Sequence, residues 1–337
     1  MSDLKLSFAM TEYDYVMPLI TGEVKPDGIT LEYQGMPGLV PGVFYDQLRF
    51  SRYDVSEMSF SSFLRARPQG WGYRILPVFH NRQFSYTRIV IRLGSGIRQD
   101  HPEDLRGKRI GTGDYQQTAA LWTRGVLQHE FNLKPEDMIW YQERPEKHSH
   151  GGATGFVPPA GLEFHYATKD FGTMYRDGEI DATIGYGAGG AVDRERTFDI
   201  TNNPEYPLLF TDPKAEAIRY YRKTGIYSPH HTTAVRDSIL QEHPWVAISL
   251  LNAFEKAKRL AQARLNERQP RLLVFSSTEL AEQREIFGAD THPYGVKANA
   301  AGIDFVQQIS VEQGLTDRKQ RYDEIFPEEI LITEELA

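Results

Sequence analysis

Two short polar stretches of the chain carry residue types that could bind and transform a small anion. The first, GTGDYQQT, runs from 111 to 118 between a short apolar strand pattern and a helical pattern. A strand-to-helix turn of this kind aims free backbone N–H groups and the positive end of a helix dipole at one point, so it favours an anion. Thr112, Tyr115 and Thr118 are its side-chain hydrogen-bond donors, and each of them could instead cap the helix.

The second stretch, YDVSEMSF (53–60), is a strand pattern that leads into a serine-rich turn. Ser59 and Ser61 are hydroxyl donors at that strand end. Glu57 lies inside the pattern, and we expect a carboxyl that is partly buried there to have a raised pKa. A buried salt bridge is an equally good interpretation of Glu57. Further along, Arg82 in FHNRQF could hold a carboxylate with two parallel hydrogen bonds, or could be solvated or ion-paired.

The composition limits what such residues could act on. The chain has 337 residues, which is enough for two domains, and a net charge of −8 without a basic stripe argues against a nucleic-acid partner. There is no cysteine, which excludes disulfides, zinc thiolates and cysteine nucleophiles. No apolar run reaches the roughly 18 residues of a membrane span. The first residues lack a basic segment followed by an apolar one, so the sequence predicts a cytoplasmic protein.

Strand and helix patterns alternate along the chain, which predicts an α/β fold with largely parallel sheets. The strand patterns cover 4–10, 28–35, 53–60, 73–79 and 84–93. The longest helix pattern runs from about 244 to about 265, and it places five apolar residues on one face: Val246, Leu250, Phe254, Ala257 and Leu260. Trp245 also reads as a core residue.

A long irregular stretch, 144–164, is the remaining feature with chemical potential. His148 and His150 lie within it and His165 follows it directly. The histidines could bind a metal, but no carboxylate lies at helical spacing beside them, so no metal site is assigned. A mobile surface loop and a lid over a ligand cleft are the other interpretations. No cofactor is assigned either, because Gln116 stands where the dinucleotide-binding fingerprint requires its third glycine.

Several segments resemble known families. EDLRGKRIGTGDYQQTAALWTRGVLQHEFNL, MYRDGEIDATI and HPWVAISLLNAFEKAK are similar to type II periplasmic binding proteins, which clamp a ligand between two α/β lobes. VSEMSFSSFLR, LPVFHNRQF, TGIYSPHHTTAVRDSIL, HPYGVKANAAGIDF and EQGLTDR resemble the 4,5-dihydroxyphthalate decarboxylases, enzymes built on that fold. The chain departs from that family at FSYTR (84–88), at Ala300 and in the 144–164 loop, so the substrate could be a relative of dihydroxyphthalate.

The resemblance implies a two-lobed type II periplasmic binding protein-like fold with the ligand cleft between the lobes. The first lobe would comprise 1–95 plus 205–337, and the second 96–204. Among the ten histidines, the resemblance marks His230 and His231 as candidates for the site. A hydrogen-bonded loop pair is the alternative interpretation of these two residues.

The implied activity is cofactor-independent decarboxylation of a dihydroxylated aromatic acid. Such a site needs donors for the retained carboxylate, a proton donor near the ring carbon and a group that takes the phenolic proton. We expect the first role to fall to Arg82, to the Thr112–Thr118 turn and to Ser59, Ser61 and His230. Glu57 and His231 would be the proton donor and acceptor, in either order.

Two other classes remain open at this point. A non-catalytic solute-binding protein for a small aromatic or other organic anion would show the same fold. A pyrimidine-precursor protein of the thiamine route also uses it, but the usual cysteine-rich motif is impossible here. The expected partner is a small aromatic carboxylate substrate, and the sequence is compatible with a homo-oligomer.

Overall fold

The computed structural model of the chain describes residues 3–35, 40–186, 193–268 and 273–336. Within these residues the backbone forms ten strands, which lie in two sheets of five. In chain order the strands are β1 Leu4–Ala9, β2 Ile29–Tyr33, β3 Val55–Ser59, β4 Tyr73–His80, β5 Ile89–Ile91, β6 Arg109–Thr112, β7 Ile139–Gln142, β8 Glu163–Tyr166, β9 Ala182–Ile184 and β10 His231–Arg236.

Thirteen α-helices connect and cover these strands in the described residues. They are α1 Met17–Ile20, α2 Val40–Phe50, α3 Phe60–Ala66, α4 Thr118–Phe131, α5 His150–Ala153, α6 Phe171–Arg176, α7 Pro213–Thr224, α8 Asp237–Glu242, α9 Trp245–Glu267, α10 Ser276–Phe287, α11 Val296–Glu312, α12 Tyr322–Ile325 and α13 Glu328–Thr333. None of the helices in this part of the chain combines the length and the apolar character needed to cross a bilayer.

The first sheet has the strand order β2-β1-β3-β10-β4. β1 runs parallel to β2 and β3, whereas β10 runs antiparallel to β3 and β4. All residues of the central strand β3 are buried, as expected for a strand that is covered on both faces. The edge strand β2 instead alternates between more and less exposed residues.

The second sheet has the order β5-β9-β6-β7-β8, with β5 antiparallel to β9 and the other neighbours parallel. We call the parts of the chain built on the first and second sheets the first and second lobes. The predicted two-lobed α/β architecture is therefore confirmed. The lobe bounds 1–95, 96–204 and 205–337 stay a prediction. Because β5 belongs to the second sheet, we propose that the first crossover lies between β4 and β5.

Two local predictions were wrong and one was confirmed. The long helix is α9, and four residues of its predicted face (Val246, Leu250, Phe254, Ala257) are buried as expected, whereas Leu260 is partly buried. Trp245 is not a core residue: it is 45% exposed, because it begins α9 and its ring rests against Gly28. The strand predicted over 84–93 is confined to β5, because Ser85–Arg88 forms a 3-10 helix.

Candidate active site

The candidate site lies at the edge of the first sheet where β1, β3 and β4 end and β10 begins. Because β10 is antiparallel to its two neighbours, its first residue pairs with the last residue of each. His231 therefore lies opposite Ser59 of β3 and opposite His80 of β4. Glu57 reaches the same edge from within β3. The sheet thus brings together the two residues predicted to exchange protons.

Glu57 and His231 form a hydrogen-bonded pair. Nδ1 of His231 lies 2.5 Å from Oε1 of Glu57. The Glu57 side chain is completely buried, whereas 15% of the His231 side chain is exposed. The Tyr13 hydroxyl also donates to Oε1, at 2.9 Å, and the backbone N–H of Thr11 donates to Oε2 at 3.0 Å. With Nδ1 held by the carboxylate, Nε2 is the nitrogen that can exchange a proton with a ligand.

The expected raised pKa of Glu57 is wrong. Burial alone would raise the pKa of this carboxyl, but the hydrogen bond from His231 and the N–H of Thr11 outweigh burial and lower the pKa to about 2. Glu57 is therefore an ionised hydrogen-bond acceptor at neutral pH. This protonation state agrees with the salt-bridge interpretation of Glu57, and its role in proton transfer stays a prediction.

Aromatic rings fix the surroundings of this pair. Tyr13, Tyr15 and His80 lie nearly parallel, with centroid distances of 5.1 Å between the tyrosines and 5.8 Å from each to His80. Burial lowers the pKa of His80 to about 4, so this imidazole is neutral, and its Nε2 bonds the Thr233 hydroxyl. Tyr13 was not among the residues predicted from the sequence patterns. Its position in TEYDY, just after β1, is a carboxyl strand end where α/β folds place ligands, and that signal could have found it.

Two further side chains contact the His231 imidazole. The ring of Phe44, on α2, meets the imidazole edge to face at a centroid distance of 4.8 Å. The Asn81 amide nitrogen lies 3.5 Å from His231 Nε2, a long contact that a ligand atom could replace.

The predicted carboxylate donors Ser59, Ser61 and Thr118 meet, but they bond one another. The Thr118 hydroxyl, at the start of α4, lies 2.9 Å from the Ser59 hydroxyl and 3.0 Å from the Ser61 hydroxyl. It also accepts the Ser61 backbone N–H at 3.1 Å. These buried hydrogen bonds hold the first lobe directly against the second.

The anion at the turn before α4 is the carboxylate of Asp114. Asp114 is completely buried and accepts the backbone N–H groups of Gln116 at 3.0 Å and His150 at 2.7 Å. Arg144 completes its coordination, with Nη1 at 3.3 Å. The turn thus donates one backbone N–H to a carboxylate of its own, and binding of a substrate anion there stays a prediction.

Thr112 and Tyr115 belong to the interior of the second lobe. Both residues are completely buried. The Tyr115 ring packs against Phe156 and lies 3.6 Å from the guanidinium carbon of Arg124. Its hydroxyl has no hydrogen-bond partner among the described residues. These contacts are typical of a packed core and do not direct either side chain toward His231.

Arg82 is placed differently from its prediction, and it does not form a clamp with the Thr112–Thr118 turn. Its guanidinium donates to the carbonyls of Tyr227 and Pro293, both at 3.0 Å, and to the side chain of Asn299. All three acceptors are neutral, and burial lowers the Arg82 pKa to about 10. Arg82 therefore links three segments of the first lobe.

His230 points into the protein, away from its neighbour His231. Its Nε2 lies 3.0 Å from the Ser85 hydroxyl, and its carbonyl accepts the N–H of Phe60. Burial lowers its pKa well below the ordinary value, so it is neutral. The hydrogen-bonded loop interpretation fits His230, whereas His231 pairs with Glu57.

The 144–164 stretch is more ordered than predicted, since it contains α5 and begins β8. His150 is buried, with Nδ1 3.1 Å from the Ser62 hydroxyl of the first lobe, and its ring lies 5.7 Å from that of Phe44. His148 and His165 are exposed. Among the described residues no group of three or more histidines and carboxylates is arranged to hold a metal ion.

Sequence relatives decide the family of this chain. No family model matches it. It is 32% identical over 331 residues to the 4,5-dihydroxyphthalate decarboxylase of Comamonas testosteroni, and the match covers 97% of each chain. The chain belongs to the 4,5-dihydroxyphthalate decarboxylase family. A second member of this family, from Pseudomonas putida, is 32% identical over 225 residues, which is 66% of this chain and 83% of that one.

Solved structures establish the fold of this family member. The alkanesulfonate-binding protein SsuA of Xanthomonas axonopodis pv. citri, bound to MOPS, superimposes with a TM-score of 0.55 at 12% identity, covering 97% of this chain and 99% of that one. The periplasmic aliphatic sulphonate binding protein SsuA of Escherichia coli gives a TM-score of 0.53 at 12% identity, covering 98% and 100%. The decarboxylase family chain thus has the two-lobed type II periplasmic binding protein-like fold.

Proposed function

We propose that the protein removes one carboxylate of 4,5-dihydroxyphthalate, or of a close relative, as carbon dioxide. The observation that carries this proposal is the buried Glu57–His231 pair, 2.5 Å apart at the strand edge of a chain from the decarboxylase family. The cytoplasm stays the proposed location, as the sequence predicts.

The chemistry needs one positioned proton donor. In 4,5-dihydroxyphthalate each carboxylate is para to a hydroxyl. The hydroxyl gives its proton to water, its oxygen pushes an electron pair into the ring, and the carbon that bears the carboxylate takes a proton from the protein; water returns a proton to the oxygen after the carbon dioxide has left. Loss of carbon dioxide then returns the electron pair to the oxygen, so the ring recovers its aromaticity and the net reaction consumes one proton. The ring itself stores the electron pair, and the chemistry needs no separate electron sink.

His231 is the proposed proton donor, acting through Nε2. Glu57 is ionised and accepts the Nδ1–H of His231, so it stabilises the imidazolium and fixes the orientation of the ring. The sequence left open whether His231 donates or accepts the proton, and this assignment makes it the donor. It replaces the proposed donor role of Glu57 with that of a positioning carboxylate.

Ser59, Ser61 and Thr118 are the proposed donors for the retained carboxylate. Ser59 ends β3, Ser61 lies in the first turn of α3 and Thr118 begins α4. Their hydroxyls bond one another across the lobes. A carboxylate could replace these contacts with charge-assisted hydrogen bonds, which are roughly twice as strong as neutral ones. Their present partners instead indicate supporting roles in the fold for Arg82, Thr112, Tyr115 and His230.

Turnover of 4,5-dihydroxyphthalate tests the proposal directly. The purified protein should release carbon dioxide and yield a dihydroxybenzoate, and in deuterated water one deuterium should enter at the carbon that lost its carboxylate. A panel of hydroxylated benzoates and phthalates, with and without a chelator, would define the substrate and any metal requirement. Tight binding across the panel without any product would favour the non-catalytic solute-binding alternative.

A further inference from the structure

Tyr13 makes a contact that no sequence motif assigns to it. Its hydroxyl donates a hydrogen bond of 2.9 Å to Oε1 of Glu57, the same oxygen that lies 2.5 Å from His231 Nδ1. When one carboxylate oxygen accepts two hydrogen bonds, each bond is weaker than it would be alone. The strength of the Tyr13 bond therefore affects how strongly Glu57 can stabilise a proton on His231.

Tyr13 is a permanent donor in a fixed position. Burial, and then the charge of Glu57, raise the pKa of the Tyr13 hydroxyl far above its ordinary value, so the phenol stays neutral. Its ring is held in the parallel stack with Tyr15 and His80. The backbone N–H of Thr11 holds the other Glu57 oxygen. Glu57 thus has little freedom to turn away from His231.

We propose that Tyr13 is a positioning residue of the decarboxylase, and that its hydroxyl sets the pH range over which His231 carries a transferable proton. The hydrogen bond from Tyr13 holds Oε1 of Glu57 toward His231 and reduces the negative charge that this oxygen presents to the imidazolium. The imidazolium is therefore acidic enough to protonate a ring carbon. This inference rests on the proposed function for its catalytic meaning. Its effect on the titration of His231 does not depend on that function.

The other titratable groups around His231 are few in the described residues. Glu57 faces it from β3, His80 from β4, and His230 precedes it in the chain. His150 contacts the same Phe44 ring as His231 does. Both His80 and His230 have lowered pKa values because they are buried, so they remain neutral near pH 7 and Glu57 is the charge that dominates at His231.

The test is Tyr13→Phe, with Tyr15→Phe as the matched control. Both changes remove one hydroxyl from the same ring stack, but it is the Tyr13 hydroxyl that donates to Glu57. Without its second donor, Oε1 stabilises the imidazolium more strongly. We expect the alkaline limb of the kcat profile of Tyr13→Phe to move up by about 0.5–1 pH unit. We also expect kcat to fall about 3–10-fold with KM within twofold, and Tyr15→Phe to match the wild type.

A second measurement separates this inference from the proposed function. NMR titration of the His231 imidazole should show the same upward shift in Tyr13→Phe even if the protein turns over no substrate. If that variant folds poorly, 3-fluorotyrosine at position 13 keeps the ring and strengthens the donor, so the shift should reverse. The inference would be overturned if the His231 titration were unchanged both in Tyr13→Phe and in the 3-fluorotyrosine protein. Equal shifts in Tyr13→Phe and Tyr15→Phe would also overturn it.

Discussion

Replacing Glu57 by glutamine tests the proposed proton chemistry most directly. The change keeps the shape of the side chain but removes a charge from a completely buried position 2.5 Å from His231 Nδ1. At an effective dielectric constant near 20, a unit charge about 4 Å away contributes about 4 kcal/mol. Loss of that contribution would lower the proton affinity of His231 by about 3 pH units, since each unit corresponds to about 1.4 kcal/mol.

Two kinetic results are expected from Glu57→Gln. At neutral pH the fraction of His231 that is protonated should fall, and kcat should decrease by about 10²–10⁴ with a much smaller change in KM. The alkaline limb of the pH profile should move down, opposite to the direction expected for Tyr13→Phe. His231→Asn should lose a similar factor, and the double variant should be little worse than either single one, because the two residues act as a unit.

The assay is continuous detection of the dihydroxybenzoate product between pH 5 and 10, together with substrate binding measured by calorimetry. Retained binding would show that the variants are folded and that the loss lies in the chemical step. A Glu57→Gln enzyme with near-normal kcat and an unmoved pH profile would refute the assignment of Glu57 as the partner of His231. The search for the proton donor would then move to His80 and His150.

Three other perturbations follow from the same contacts. The folded-state pKa of Glu57, about 2, lies below its unfolded value of 4.5, so its stabilisation is present above pH 4.5 and lost as pH falls toward 2. The difference in unfolding free energy between wild type and Glu57→Gln, measured by urea titration, should therefore shrink by about 3 kcal/mol over that range. Arg82→Met removes the donor to the Tyr227 carbonyl and to the Asn299 side-chain oxygen, whereas the Pro293 carbonyl keeps its bond from the Asn299 amide, so the unfolding free energy should fall by about 2–4 kcal/mol with KM unchanged. Preserved stability with weakened binding would support the substrate role predicted from sequence. Thr118→Val removes the hydroxyl shared by Ser59 and Ser61, so small-angle scattering without ligand should show a larger radius of gyration; an unchanged value would mean that other contacts hold the lobes together.

Much of the architecture could be predicted because it depends on local patterns. The run of buried residues in β3 and the helical spacing in α9 are visible in the sequence itself. β10 was not identified as a strand, since HTTAVR is short and its pairing partners lie more than 150 residues earlier. The 3-10 helix at Ser85–Arg88 was missed because its residues, including Tyr86 and Thr87, also suit a strand.

The site was predicted in part for a related reason. Glu57 and His231 were identified as candidates, but the sequence could not show that they touch, because 174 positions separate them. Burial without a partner raises the pKa of a carboxyl, whereas burial with donors can lower it. The sequence indicates burial alone, and so the direction expected for Glu57 was wrong. The substrate role of Arg82 stays a prediction, and a pattern cannot show that its two Nη atoms already donate to neutral acceptors.

The two groups of proposed site residues are distributed differently between the lobes. Tyr13, Glu57 and His231 all come from one edge of the first sheet, so their mutual distances do not depend on how the lobes sit. The hydroxyl contacts between Ser59, Ser61 and Thr118 are instead split between the lobes. Movement of one lobe relative to the other would therefore change the contacts of Ser59, Ser61 and Thr118 and leave the Tyr13, Glu57 and His231 geometry assembled. Changes in the hydroxyl contacts should act mainly on KM, and changes in the proton-transfer residues mainly on kcat, because binding and chemistry depend on different contacts.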